Sequence, residues 1–117
     1  MATFRRDGRP QLSPVLTAVD HEGRAVISTR ATSAKAKNLA RDPRVSLCVF
    51  PEAFFGTWVQ LEGSAEVVPL PEAMELLVDY YRRISGEHPD WATYRAAMQA
   101  EQRVLVRFSI DRAGPGL

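Results

Sequence analysis

The chain holds one cysteine, two histidines and almost no surplus charge of either sign. A single cysteine cannot close an intrachain disulfide, which predicts a reducing, cytoplasmic setting. His21, His88 and Cys48 lie far apart, so no metal-ligand spacing exists and no metal site is expected. Fifteen Lys and Arg against fourteen Asp and Glu leave a formal charge of +1. No global field therefore points to nucleic acid or a membrane surface. A nucleic-acid-binding barrel would also interleave basic residues with exposed aromatics on one face. No apolar run approaches the ~20 residues of a membrane span, and no signal-peptide pattern is present. Gly-x-Gly-x-x-Gly, P-loop and nucleophile-elbow motifs are absent.

The 117 residues suit one domain, 1–117, with ordinary globular composition. The first two thirds read as strands. Residues 2–6 run to Asp7-Gly8, a strong hairpin signal. Residues 11–19 form a second strand, in which Pro14 marks an edge or a bulge. A turn at 20–23 leads to a strand over 24–29. Residues 33–41 form a short helix stopped by Asp42-Pro43. A strand over 44–50 and a loop over 51–56 follow. In 57–68, Val59, Leu61, Ala65 and Val67 share a face, with Gly63 at a bulge. Cys48, inside an apolar run, is expected to be a buried packing residue. The period then changes. Ala73, Leu76, Leu77, Tyr80, Tyr81 and Ile84 recur at helical spacing across 72–85. Asp90 caps a second helix over 91–100. Residues 104–110 are a last strand, and 114–117 should fray. About six strands with short helices predict a mainly β fold, a closed or split barrel, because closure removes exposed edges.

The segment from Ser28 to Leu39 is the richest in polar signals. A β run ends in Ser28, Thr29 and Arg30, and a helix opens at Ser33 with Lys35 and Lys37 in its first turns. Helix N-termini carry partial positive charge and unpaired N–H groups, so cations there are unfavourable unless an anion is near. The segment is either a phosphate cradle or a solvated basic helix with Ser33 as an ordinary cap.

Three patterns occur in order: Asp7-Gly8-Arg9-Pro10-Gln11-Leu12-Ser13, Lys35-Ala36-Lys37-Asn38-Leu39-Ala40-Arg41-Asp42-Pro43-Arg44, and Val59-Gln60-Leu61-Glu62-Gly63-Ser64-Ala65-Glu66-Val67. Together they resemble the pyridoxamine 5′-phosphate oxidase-like superfamily of split β-barrels. More narrowly, Gly86-Glu87-His88-Pro89-Asp90-Trp91 with Tyr94-Arg95-Ala96-Ala97-Met98 resembles the branch that uses the deazaflavin coenzyme F420. The resemblance covers nearly the whole chain. Two departures stand out. Family members carry a further helix and the first half of strand one before this start, so the barrel is expected to be shortened. Ser33 stands where relatives often have Arg, which leaves either a weaker anion contact or one supplied by Arg30.

The resemblance implies a cofactor phosphate at the start of the short helix. By match, Lys35 is the foremost phosphate ligand and Lys37 a second. Ser28 and Thr29 occupy strand-end positions facing the cofactor. Trp58 aligns with an aromatic position near the ring or tail, or else is a core or dimer-interface residue. Gln11 and Ser13 match positions lining the ring pocket, or else lie on the solvent side of an alternating strand. The resemblance further implies a homodimer with the cofactor site at the subunit interface, and hydride transfer to a small conjugated or unsaturated substrate. The alternatives are FMN as the cofactor, or a protein that stores or carries a cofactor without turnover. The cofactor's long acidic tail would call on Arg30, Lys37 and Arg41. His21 reads as a solvated loop residue and His88 as an inter-helix contact. Trp91 and Tyr94 read as packing of the helical cap, and Glu72, Glu75 and Asp79 as a solvated helix face. No side chain stands out as a general acid, so no catalytic residue is assigned.

Overall fold

The structure is a computed structural model that describes residues 1–50 and 57–114. Its elements run β1 (Ala2–Phe4), β2 (Pro10–Leu12), β3 (Ala18–Val19), β4 (Ala25–Arg30), α1 (Ala34–Arg41), β5 (Arg44–Val49), β6 (Val59–Val68), α2 (Ala73–Ser85), α3 (Trp91–Ala100) and β7 (Arg103–Gly114). The seven strands form one antiparallel sheet in the order β2-β1-β5-β6-β7-β4-β3. The fold is mainly β, a split barrel, as the alternation and the spacing of turns predict.

The core has two parts, divided by β4 and β7. Successive side chains of a strand point to opposite faces. Ala25 and Ile27 therefore join Val104, Val106 and Phe108 inside the barrel, where Ala36 and Leu39 of α1 plug the space against Val45 and Leu47. Val26 and Leu105 face the other way and meet Ala73, Leu77 and Val78 of α2 with Tyr94 and Met98 of α3. Strands buried on both faces read as unbroken apolar runs, which is why 25–27 and 104–106 carry no polar alternation.

Several expectations are corrected. The strand expected over 11–19 is two short ones, because residues 13–17 leave the ladder around Pro14, which has no N–H to donate. Seven strands replace the expected six for this reason. The last strand runs to Gly114 rather than stopping at 110, since its far end pairs with β6 up to Gln60↔Gly114. The irregularity expected at Gly63 falls beside it. Glu62 faces Arg112 and Gly63 faces Ile110, so the extra residue, Asp111, belongs to β7. Gly63 is required for a different reason: a Cβ there would overlap the Ser109 carbonyl oxygen. Cys48 is exposed, not buried, because strand alternation turns Val45 and Leu47 inward and Cys48 out. The loop expected over 51–56 and the end of the expected fraying tail, 115–117, lie outside the described residues.

One buried polar link fixes α1 to the sheet. Asn38 Nδ2 donates to Thr3 Oγ1 at 3.1 Å, and Thr3 Oγ1 donates to Gln11 Oε1 at 3.3 Å. Arg41 adds contacts to the Phe4 carbonyl and to Asn38 Oδ1. Helix α1 thus has a set rotation relative to β1, and its flanks look in fixed directions.

Candidate functional site

The site is built where β4 runs into α1. Thr29, almost fully buried, donates from Oγ1 to Ser33 Oγ at 3.0 Å. Ser33 Oγ also accepts from the Ala36 backbone N–H at 3.1 Å, so Ser33 is the N-cap of α1. This satisfies one of the helix's orphan donors. No acidic residue lies in the first turn of α1. Among the described residues no carboxylate lies within 4 Å of Lys35, although most arginines of the chain have one.

Ser28, Thr29 and Lys35 open onto one groove of about 520 Å³. Pro14, Val15 and Leu16 form one wall. Tyr80 and Tyr81 of α2, Tyr94 and Met98 of α3, and Arg103 also line the groove. Arg103 is held by Glu101 at 3.0 Å, and Arg30 reaches the same carboxylate at 3.6 Å. The two arginines face each other across β4 and β7, so Glu101 relieves a repulsion that would otherwise splay the strand ends. Burial pushes the Tyr94 phenol up to about 12, and burial likewise raises Tyr80. Both therefore stay neutral donors at physiological pH. Tyr94 donates to the Leu77 carbonyl at 2.8 Å and Tyr80 to the Leu16 carbonyl at 2.6 Å.

The sequence-derived candidates divide. Ser28, Thr29 and Lys35 meet in the groove, with Ser33 behind them and Arg30 at the edge through Glu101. Lys37 faces another groove, about 780 Å³, which it shares with Arg5, Arg6, Asp7 and Arg41. Gln11 is engaged within the β1–β2 hairpin, accepting from Thr3 and donating from Nε2 to the Leu12 carbonyl at 3.0 Å. Trp58, 48% exposed, precedes β6 and does not line the groove. Ser13 lies just before the Pro14–Leu16 wall. Its hydroxyl oxygen is buried without a hydrogen-bond partner among the described residues, while its backbone is tied to Met1.

Sequence reasoning missed Tyr80, Arg103 and the 14–16 wall. Tyr80 reads as one more apolar residue at helical spacing, and only the fold shows its hydroxyl reaching residue 16. The Gly86–Trp91 motif proves to be architectural. His88 Nδ1 accepts from the Asp90 N–H, Trp91 Nε1 donates to Glu87, and the rings of Tyr81, His88, Trp91 and Tyr94 stack within 5.0–5.8 Å. That corner sets the positions of Tyr81 and Tyr94 in the groove wall. His21 sits in its turn beside Glu22, well exposed.

The donor set suits an oxyanion ligand with an aromatic or apolar body. Lys35, with no carboxylate within 4 Å among the described residues, shares the groove with the β4 end at Ser28 and Thr29 and with phenols and a thioether, although the Thr29 hydroxyl is already donated to Ser33. The Ser13 hydroxyl, next in the chain to the wall, has no hydrogen-bond partner among the described residues. Among the described residues no cluster of His, Cys, Asp or Glu can hold a metal, and no helix is long and apolar enough to cross a membrane.

The family model described as pyridoxamine 5′-phosphate oxidase matches residues 1–114. A conserved hypothetical protein of Mycobacterium tuberculosis is 36% identical, with a TM-score of 0.74 over 96% of this chain and 71% of that one. An F420 reductase is similar at 22% identity and a TM-score of 0.73, over 97% of this chain and 85% of that one. A pyridoxamine 5′-phosphate oxidase-related, FMN-binding protein of Nostoc punctiforme is similar at 14% identity and a TM-score of 0.69, over 96% and 69%.

Proposed function

We infer from one premise — the chain belongs to the pyridoxamine 5′-phosphate oxidase family — that it is an oxidoreductase that binds the deazaflavin F420 and reduces a small conjugated or unsaturated molecule. The observation that carries this reading is the groove in which Lys35, free of any carboxylate within 4 Å among the described residues, joins Ser28 and Thr29 at the head of α1. Lys35 and the first N–H groups of α1 would hold the phosphate with Ser28 beside them, while Thr29, whose hydroxyl proton goes to Ser33 Oγ, would keep the cap in place. Tyr81, Tyr94 and Met98 would exclude water from the flank of the ring. The chemistry supplied by the bound cofactor is two-electron hydride transfer. The residues of this chain orient and dehydrate; none is assigned a proton-transfer step.

Preference for F420 over FMN is supported by the second flank of α1. Arg5, Arg6, Lys37 and Arg41 gather there, and none has a carboxylate within 4 Å among the described residues. A long acidic tail suits such a surface, whereas FMN ends at its phosphate. A second copy of the chain is part of the same reading. An apolar groove of about 430 Å³ is lined by Met1, Val15, Leu47 and Val49 together with Leu16, which is 68% exposed, and Leu12 elsewhere on the surface is 72% exposed. A homodimer that covers these would place the cofactor between subunits. Sedimentation equilibrium should give a dimer at micromolar concentration, and a stable monomer would remove this part of the proposal.

Titration of the purified protein with F420 and with FMN, followed by fluorescence and calorimetry, tests the reading. F420 should bind the more tightly. FMN tighter by about tenfold, roughly 1.4 kcal/mol, would make the protein an FMN enzyme. Tight binding without steady-state turnover would make it a carrier. Failure of both cofactors to bind would overturn the proposal.

A further inference from the structure

Val15 packs the wall formed by residues 14–16 against the barrel core, but the backbone of the segment has few ties of its own. After the Ser13 N–H donates to the Met1 carbonyl at 3.0 Å, no backbone hydrogen bond ties residues 14–17 to any described residue. Helix α2 supplies the hold instead. Tyr80 donates to the Leu16 carbonyl at 2.6 Å, and Arg83 donates to the Val19 carbonyl at 2.8 Å. The two donors are three apart on the helix, and their acceptors are three apart on the edge segment. Side chains three apart share a helix face, so one face of α2 grips one stretch of backbone. The grips differ in position. The Tyr80 contact lies inside the groove that holds Ser28 and Lys35, whereas Arg83 acts beyond it at β3. Residues 14–16 also border the apolar groove of Met1 and Leu47, so the segment is a partition between two cavities.

We propose that Tyr80 is a positioning residue whose hydrogen bond to the Leu16 carbonyl fixes the Pro14–Leu16 wall of the groove and thereby sets cofactor affinity. The inference rests on the cofactor reading above. Tyr80 does not act on the reacting atoms. It removes the freedom of a segment that has no ladder of its own, so the wall is in place before a ligand arrives. Without the phenolic donor the Leu16 carbonyl loses its partner, and the segment can move outward over the apolar groove.

The test compares the wild-type protein with Tyr80→Phe and, as a control, Arg83→Met. Each is measured for F420 and FMN dissociation constants, for thermal midpoint and for backbone ¹⁵N order parameters at residues 15–17. Loss of one neutral hydrogen bond corresponds to roughly threefold to tenfold in affinity. Tyr80→Phe should weaken the cofactor that the wild type binds by about that factor. Order parameters at 15–17 should fall toward the flexible range while the thermal midpoint stays nearly unchanged. Arg83→Met should leave affinity unchanged. Unchanged affinity in Tyr80→Phe, with the wild type binding normally, overturns the positioning role and leaves the cofactor reading intact. Weaker affinity with rigid 15–17 backbone also overturns it, since the effect would then not pass through the wall. A wild type that binds neither cofactor overturns both.

Discussion

The two flanks of α1 carry two lysines two residues apart, and they face different chemistry. At 3.6 residues per turn, two positions are separated by about 200° around the axis. Lys35 looks into a groove of hydroxyls, phenols and a thioether, where the nearby arginines are already held by Glu101. Lys37 looks into a groove with three other cations, whose single carboxylate, Asp7, accepts from the Arg9 N–H at 3.0 Å. One flank can seat a compact anion joined to a ring; the other can only attract charge. Between them Asn38 and Leu39 fasten the helix, so neither lysine can exchange roles by rotation.

Lys35→Ala breaks the comparison most sharply. It should cost cofactor affinity about ten- to a hundredfold, roughly 1.5–3 kcal/mol, the usual size of a charge-assisted contact. Without ligand the same change should leave urea stability unchanged or raise it by a few tenths of a kcal/mol, since a cation at a helix N-terminus is unfavourable. Destabilisation with unchanged affinity would show the lysine to be structural.

Asn38→Leu attacks the fastening between the flanks. It leaves the buried Thr3 hydroxyl and the Arg41 guanidinium without their shared partner. A loss of about 1–3 kcal/mol is expected in urea unfolding. Cofactor affinity should fall as well, because α1 no longer holds one orientation. A variant as stable as the wild type would mean that Leu39 and Ala36 fix the helix unaided.

Lys37→Ala should have a smaller effect, a few tenths of a kcal/mol in affinity at low salt, as befits an exposed charge. Its signature is a shallower dependence of F420 affinity on salt, with FMN affinity unmoved. Equal effects on both cofactors would assign Lys37 to the phosphate rather than the tail.

The smallest effect at neutral pH concerns the phenols that only the Lys35 flank possesses. Burial raises Tyr94 from the ordinary value near 10 to about 12 in the folded chain. Its neutral form is therefore the one folding favours. That contribution is fully present below about pH 10 and is lost as pH rises through about 12. The urea midpoint should fall across that window, and less steeply in Tyr94→Phe, where the remaining slope includes Tyr80, which is raised in the same sense. Tyrosinate absorbance gives an independent reading of the same titration.

Most of the strands, the three helices and the cap residues Ser33 and Asp90 were legible because they depend on local rules; the split of 11–19 and the far end of β7, which depend on pairing partners, were not. Period, turn residues and capping side chains act over a few positions. Cys48 was misjudged for want of one fact, the side of β5 that faces the barrel. An apolar run hides its own alternation when one of its members is exposed. The site was legible only in part. Ser28, Thr29 and Lys35 are neighbours in the chain and stay neighbours in the fold. Gln11 turned inward to Thr3, and its amide has no obligation to the groove. Tyr80 and Leu16, 64 residues apart, could not be joined by any local pattern.

The sequence by itself determined most of the segments that become strands and helices, where α1 starts, and that a cation stands near its head. Those follow from steric and hydrogen-bonding preferences that a residue exerts on its nearest neighbours. Only the tertiary structure decided that Lys35 and Lys37 part company, that Glu101 occupies Arg30 and Arg103, and that α2 holds the 14–16 wall. The physical reason is that a groove is made of surfaces from several elements. Its shape depends on how β4, α1, α2 and α3 pack, and no single segment encodes that packing.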